Sequence, residues 1–323
     1  MRKGILLLAS AAALLALPLF GEALKNGVVR MSLPSISWAL EADLKDFTIR
    51  NDAIASSGTG GRIQAYSEKT GVLVSLILDK APKDGDSKAC RDYYWQRIKT
   101  ARVEISDVAM KEKGEIAILD FMVREYREQK IDQKNVDAFL SKNGYWIDVH
   151  MIKANYTPKD DPVFETVLRS LKLIEGYEQT EGDCLKYADA FFQTENYPEA
   201  AKWYQKVIDA EMKERSLKAE EWRKAANNLG LSYAIAGDLK RSKETYLSAI
   251  SRDGNYAMFY YNLACDFAEE NDLDNTLLNL EKAISLKKAL PPEENLPDPS
   301  ADEVFKRFRD NERFRDLIKT MKK

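Results

Sequence analysis

One stretch of this 323-residue chain is written twice. Between Arg223 and Leu286, Asn228-Leu229-Gly230 with Tyr233 returns as Asn262-Leu263-Ala264 with Phe267, and Gly237-Asp238-Leu239 returns as Asn271-Asp272-Leu273. Ser242, Tyr246 and Ala249-Ile250 return as Thr276, Leu280 and Ala283-Ile284, every pair 34 positions apart. A period of this length with no loss of register predicts a stack of like units, each one supersecondary element long.

The spacing names the element. Leu229, Gly230 and Tyr233 lie at i, i+1 and i+4 on one helix face, and Ser242, Tyr246 and Ala249 lie at i, i+4 and i+7 on the next. Small residues where two helices cross let the backbones approach, and an aromatic side chain fills the space beside them. A single hairpin of this kind cannot bury its apolar stripe, so neighbours must stack. A third copy lies upstream: Ala188 with Phe191, then Asn196-Tyr197, Ala200, Tyr204 and Val207-Ile208. Its offset to the next copy is 42 positions, and the extra residues fall in the charged, helix-favouring run Ala210 to Glu221. Longer helices or a longer turn are expected there.

This pattern resembles the tetratricopeptide repeat (TPR). Asn262 to Cys265 also resembles the Asn-Leu-Ala-Cys of the last repeat in a bacterial end-of-group class of TPR proteins. Asn311-Glu312-Arg313-Phe314-Arg315-Asp316-Leu317 matches that class's Asp-x-x-Phe-x-x-Leu tail, with Asn311 in place of the leading Asp and Asp310 adjacent. Pro291 to Pro299 cannot continue a helix. Val304, Phe305, Phe308, Phe314, Leu317, Ile318 and Met321 then return at helical spacing, interrupted near Asp310-Asn311, as the cap a solenoid needs. The resemblance implies a partner-binding groove on the first helix of each hairpin. Its residues are Leu185, Asp189 and Phe192 in copy one, Asn227, Leu231 and Ile235 in copy two, and Tyr261, Cys265 and Ala268 in copy three. The family's clamp for C-terminal carboxylates uses Lys and Asn where copy one has Leu185 and Asp189, although Asn228 matches. A mixed apolar groove suits an apolar segment of a protein or peptide partner, or a second copy of this chain. The alternative is that the chain's own tail or N-terminal half covers it.

The N-terminal half has a different texture. Trp38-Ala39-Leu40, Phe47-Thr48-Ile49, Ile63 to Tyr66 and Val72 to Leu78 are short apolar or alternating runs punctuated by Gly58, Gly60-Gly61 and Gly71. A helix is expected over Asp86 to Ala101, with Ala89, Tyr93, Tyr94, Arg97 and Ile98 on one broad face. Strands follow over Val103 to Met110, Ile116 to Tyr126 and Tyr145 to Asn155. Ile131 to Asn143 reads as a polar insertion with a helical turn at Val136 to Leu140. Asp161 as N-cap with Pro162 at the first helical position opens a last helix. The order predicts an α+β N-terminal domain, an antiparallel sheet with helices, followed by an all-α TPR solenoid. A final strand ending near Thr157-Pro158, then a helix closing in Arg169-Ser170-Leu171-Lys172-Leu173, resembles the PsbP-like fold, which implies a ligand- or partner-binding module rather than an enzyme. The expected boundaries are 1–23 signal, 24–175 α+β domain, 176–182 linker, 183–290 three hairpins and 291–323 Pro-rich turn and cap.

Arg2-Lys3, the apolar Ile5 to Phe20 and the small residues around Ala23 form an export signal with cleavage after Ala23. This predicts a periplasmic or secreted protein with no membrane span once cut. An uncleaved anchor helix is the alternative. A formal charge of −3 with no basic block offers no footprint for nucleic acid. The three cysteines, Cys90, Cys184 and Cys265, have no metal spacing and read as reduced thiols, a Cys90–Cys184 bridge being the alternative.

His150 is the only histidine, mid-strand and opposite Tyr145, Ile147 and Val149. Ser/His/Asp, Cys/His and histidine-rich metal sites would all have to use it. It reads instead as a surface or sheet-covering residue. Asp84-Gly85-Asp86 reads as a helix-capping turn rather than a calcium loop. No cofactor is expected. The functional expectation is an exported, non-catalytic scaffold that binds a protein in envelope assembly, secretion or maintenance. The alternative is a small-molecule or lipid-binding N-domain with repeats that oligomerise. A buried carboxylate pair of raised pKa in a cleft would instead favour an enzyme.

Overall fold

The structure, a computed structural model, describes residues 27–321 except Ser56, Ala101, Arg102, Arg127, Glu128 and Glu293. The export signal and its cleavage point lie outside the described residues. The chain divides into two compact units, at Gln179 and Thr180.

Among the described residues of the first unit ten strands form two antiparallel sheets: β1 (Val28–Met31), β2 (Trp38–Asp43) and β10 (Lys172–Glu175) in one, and β3 (Thr48–Ile54), β4 (Gly60–Ser67), β5 (Val72–Lys80), β6 (Ile105–Lys113), β7 (Ile116–Tyr126), β8 (Gln129–Lys142) and β9 (Tyr145–Lys153) in the other. The large sheet runs in the order β3-β4-β5-β9-β8-β7-β6. The period of two along each strand divides its side chains between two cores. Ile63, Val74, Leu76, Val136, Ala138, Val149 and Met151 face the small sheet and the helix α2 (Asp161–Ser170), which contributes Phe164, Val167 and Leu168. Leu119, Phe121, Phe139 and Trp146 face the helix α1 (Ser87–Ile98), where they pack with Cys90, Tyr94 and Ile98.

Asp86 caps α1 by accepting from the Ala89 N–H at 2.9 Å, as its place in the sequence suggests. The segment 131–143 departs from expectation. It is part of the 14-residue strand β8, not a polar insertion with a helical turn. Its polar residues Gln133, Asn135 and Asp137 are buried on the α1 face, so polarity there marks an interior and not a surface. Two boundaries also move. A 3-10 turn capped by Thr157 precedes α2, so Asp161 is the first helical residue and Asp160 the N-cap. Leu171 leaves the helix, and Lys172–Glu175 pairs with β2 instead of extending α2.

The second unit has three helical hairpins: α3 (Glu181–Gln193) with α4 (Tyr197–Lys213), α5 (Ala219–Ile235) with α6 (Leu239–Arg252), and α7 (Ala257–Glu269) with α8 (Leu273–Leu286). The eight extra positions between copies one and two are fully placed. Helix α4 has 17 residues against 14 in α6, the following turn is one residue longer, and α5 begins four residues earlier than α7, 17 against 13. Buried Glu211 holds that turn by accepting from the Ser216 and Leu217 N–H groups at 2.5 and 2.6 Å and from Arg252 at 2.7 Å. A 3-10 segment (Glu303–Phe308) and α9 (Glu312–Met321) close the stack. Phe305, Phe308, Phe314 and Ile318 bury against the third hairpin.

Gly230 lies where α5 and α6 cross. An added Cβ would stand 2.4 Å from the Tyr246 ring. In the third hairpin the corresponding pair is Ala264 and Leu280, a methyl opposite a smaller side chain. Gly230→Ala should therefore destabilise this unit by about 1–3 kcal/mol through overpacking, although alanine is the better helix former by about 1 kcal/mol. In a Tyr246→Leu background the same change should be neutral or stabilising. A urea-unfolding double-mutant cycle checks this, and additive effects would contradict the crossing as described.

Candidate functional site

The register of the large sheet aligns four polar side chains in one row. Gln64 of β4 pairs with Ser75 of β5, Ser75 with His150 of β9, and His150 with Asp137 of β8. Gln64 donates to Ser75 at 3.2 Å, and Asp137 hydrogen-bonds to His150 Nδ1. The next row carries Arg62, Ile77, Asp148 and Phe139. Asp137, Asp148 and His150 are each 5% exposed or less, and Gln133 and Asn135 continue the polar line along β8.

Water is excluded here, so charge state follows the immediate partners. Burial alone would pull the His150 imidazole down; the Asp137 carboxylate more than reverses this and holds it above its ordinary value. Burial pushes the Asp148 carboxyl well above the usual carboxylate range, Asp137 adds repulsion, and His150 and Arg62 offset part of it. Burial lowers the Arg62 guanidinium, with Asp148 opposing the shift. Four side-chain atoms in this cluster are buried with no hydrogen-bond partner: Arg62 Nε, Asp148 Oδ1, Asp137 Oδ2 and His150 Nε2. A buried polar group left unpaired costs about 1–3 kcal/mol, so the concentration of four here calls for a functional reason.

The row opens at one side. Helix α1 packs on β7 and β8 and leaves the β3–β5 part of the same face uncovered. The result is a trough of about 680 Å³. Its floor holds Arg62, Ile77 and Asp148; one wall is Tyr93, Tyr94 and Arg97 of α1, and the other is the β3–β4 hairpin around Ala53 and Ile54. The two tyrosines are fixed in place. Tyr94 stacks on Phe139 at 5.6 Å, Tyr93 meets Trp146 at 5.4 Å, and Arg97 donates to the Tyr93 hydroxyl at 3.0 Å. The sequence reading names Tyr93, Tyr94 and Arg97 as one face of α1 but gives no trough. His150 is a buried ion-pair partner rather than a surface or sheet-covering residue. Asn143-Gly144 is a hairpin signal between β8 and β9 that would have located Asp137 opposite His150. Cys90 lies buried beside this cluster and burial pushes its thiol up; all three cysteines are free, so the Cys90–Cys184 bridge is absent.

The nine groove residues inferred for the repeats do not form one open surface. Asp189 accepts from Tyr204 at 2.5 Å and pairs with Lys224 of the next hairpin at 2.7 Å. Phe192 packs edge-on against Tyr197 and Tyr204. Asn227 accepts from Asn262 at 2.7 Å. Tyr261 and Ala268 are inside the fold: Tyr261 donates to Asp302 at 2.9 Å and meets Phe305 edge-on, and Cys265 sits partly buried in the same cluster. The tail therefore occupies the third copy's part of the inferred groove. Leu185 and Leu231 are half-buried and Ile235 is 55% exposed. A separate groove of about 460 Å³ opens between α4 and α6 over α5. Trp222, Ala226, Leu229 and Tyr233 floor it, and Ile208 and Met212 stand on its wall.

The buried charges of the first unit set its pH response. His150 stabilises the fold fully below the ordinary imidazole value, and that contribution is lost as pH rises through its raised folded value. Asp148 acts in the same sense, since its folded carboxyl holds a proton that the unfolded chain releases above about pH 4. This unit should lose stability between pH 5 and pH 8. Asp148→Asn should reduce that loss and be the more stable variant at pH 8, whereas Asp137→Asn, which strands the buried imidazole, should cost about 3–5 kcal/mol. Urea unfolding at the two pH values, with amide exchange of β8 and β9 reporting this unit separately, checks both.

No protein-family model matches the sequence, and no curated protein matches it. Solved structures similar to parts of this chain include the following. One is PcrH in complex with the chaperone binding region of PopB, at 19% identity over 36% of this chain and 88% of that one, with TM-score 0.31. Another is PcrH from Pseudomonas aeruginosa, at 16% identity over 45% and 94%, with TM-score 0.31. The third is cyanobacterial PsbP (CyanoP) from Synechocystis sp. PCC 6803, at 12% identity over 48% and 98%, with TM-score 0.33.

Proposed function

We propose that this protein is an exported, non-catalytic scaffold whose helical unit captures an apolar segment of another protein. The observation that carries the reading is Met212, 75% exposed, at the wall of the groove between α4 and α6. Solvent exposure of an unbranched apolar side chain beside an apolar floor suits a partner that buries it. The floor stripe Trp222-Ala226-Leu229-Tyr233 spans twelve residues of α5, about 16 Å at 1.5 Å per step, the length of three helical turns in a bound segment. The groove owes its shape to the run that carries the extra residues between copies one and two, because Glu211, Met212 and Arg215 belong to it and Trp222 follows it directly. Arg252, held by Glu211 and stacked 4.1 Å over Trp222, keeps the floor rigid. Ile235, 55% exposed one turn beyond the half-buried Leu231 on α5, is the second place on which the same reading can rest. The export part of the proposal stands on the N-terminal Arg2-Lys3 and the apolar run behind it.

A photo-crosslinking residue at Met212 should give a discrete adduct with a different polypeptide in cells that make the protein natively. The same residue at Leu278, also exposed but away from the groove, should give none. Adducts at Ile235 alone would move the segment to the first-helix face. An adduct of twice the chain's mass would replace a foreign partner with self-association. No adduct at Met212 or Ile235 would overturn the scaffold reading.

A further inference from the structure

The trough of the first unit is a site in its own right. Its position is dictated by α1, which shields part of a sheet face and leaves the remainder as a floor walled by Tyr93 and Tyr94. Two features distinguish it from a surface crease. Asp148, at its floor, is 4% exposed with Oδ1 unpartnered, and Arg62 beside it has a buried, unpartnered Nε. Two hydrogen-bonding groups without a protein partner at the floor of an open cavity are matched by a ligand head group that pairs with both.

The lining selects the head group. Arg62, Lys80 and Arg97 supply three cations, and the acids are Asp79 and Asp148. Asp79 already has a partner within the fold and lies against Gly60. Asp148, whose burial and whose neighbour Asp137 both favour the neutral form, has an O–H to donate. Arg62 presents the planar fork of donors that matches a carboxylate. The rest of the surface is mainly apolar: Ala53, Ile77, Pro82 and the two tyrosine rings, in a volume within the range of small-molecule sites.

We propose that this trough binds an amphipathic monocarboxylate, its carboxylate accepting from Arg62 and from Asp148 and its aliphatic or aryl body lying against Tyr93, Tyr94, Ala53 and Ile77. Every residue that lines it belongs to the first unit. A cationic or amide ligand would leave Arg62 Nε unpaired and add charge beside Arg97.

Isothermal titration of the full chain with octanoate and with 3-phenylpropanoate tests this, alongside octanamide and octylamine. At least one carboxylate should bind, and octanamide and octylamine should bind at least tenfold more weakly than octanoate. Arg62→Gln should weaken the carboxylate at least tenfold. Ala53→Trp, at an exposed position on the trough wall, should abolish binding by filling the space while circular dichroism and the unfolding midpoint stay unchanged. Three results would overturn the proposal: no binding of either carboxylate up to millimolar concentration, equal binding of the amide, or binding of octylamine that Asp148→Asn abolishes and Arg62→Gln spares. Should Arg62→Gln fail to fold, the Ala53→Trp and octanamide comparisons still decide.

Discussion

A helix about 10 Å wide cannot cover seven strands set about 4.8 Å apart. That mismatch governs the first unit. The inner face of the large sheet is covered over its centre by the small sheet and α2 and is mostly apolar there, with the Lys134–Asp120 pair toward its edge. The outer face is covered over β7 and β8 by α1 and is open over β3 to β5, so its side chains must change character across the sheet. They do so in steps. Phe121 and Phe139 lie under the helix; Asp137, His150 and Asp148 lie at its border; and Arg62 and Gln64 lie beyond it. The border is where a charge is desolvated yet close to solvent, the setting that perturbs titration most and suits a ligand site best.

A buried carboxylate pair beside a cleft, with one member's pKa raised, is the arrangement that would favour catalysis. Its geometry argues for binding. Asp137 is committed to His150, and both are shielded within the row. Cys90 is wholly buried with its thiol pushed up, which keeps it from acting as a nucleophile. Only Asp148 and Arg62 reach the trough, and together they form a hydrogen-bonding surface rather than an acid–base relay. In the second unit the physics is different. Stability comes from stacking hairpins, the last of which the tail closes, so any free surface has to come from an irregularity in the repeat. The extra residues between copies one and two supply one.

The two halves differ in how much of this is written locally. A 34-residue period, with one more copy at an offset of 42, makes six helices legible because every contact it encodes lies within a hairpin or its neighbour, and the Gly230–Tyr246 crossing is visible as a spacing. Strand β8 is the opposite case. Its residues Gln133, Asn135 and Asp137 look solvated until β9 and α1 are placed against them, so their meaning is tertiary. Two signals for it were present: Val136, Ala138 and Leu140 alternate with period two, and Asn143-Gly144 supplies a turn with both residues at positive φ. With β8 misread as an insertion, His150 lost its partner and the site disappeared. For the third copy the tail's burial of Tyr261 and Ala268 is the alternative that the sequence leaves open, and choosing it needs the tertiary packing of Phe305 and Asp302 on that helix.

The chain has a single histidine, which makes one experiment unambiguous. Long-range proton–nitrogen correlation spectra of the imidazole, followed across pH, report the protonation and tautomer of His150 alone. The buried Asp137–His150 pair predicts a titration above the ordinary value of about 6.5, with both ring nitrogens protonated until then and slow solvent exchange at Nδ1. A titration at or below that value with fast exchange would mean an exposed, unpaired ring. The polar row, and with it the trough floor, would then not exist as described.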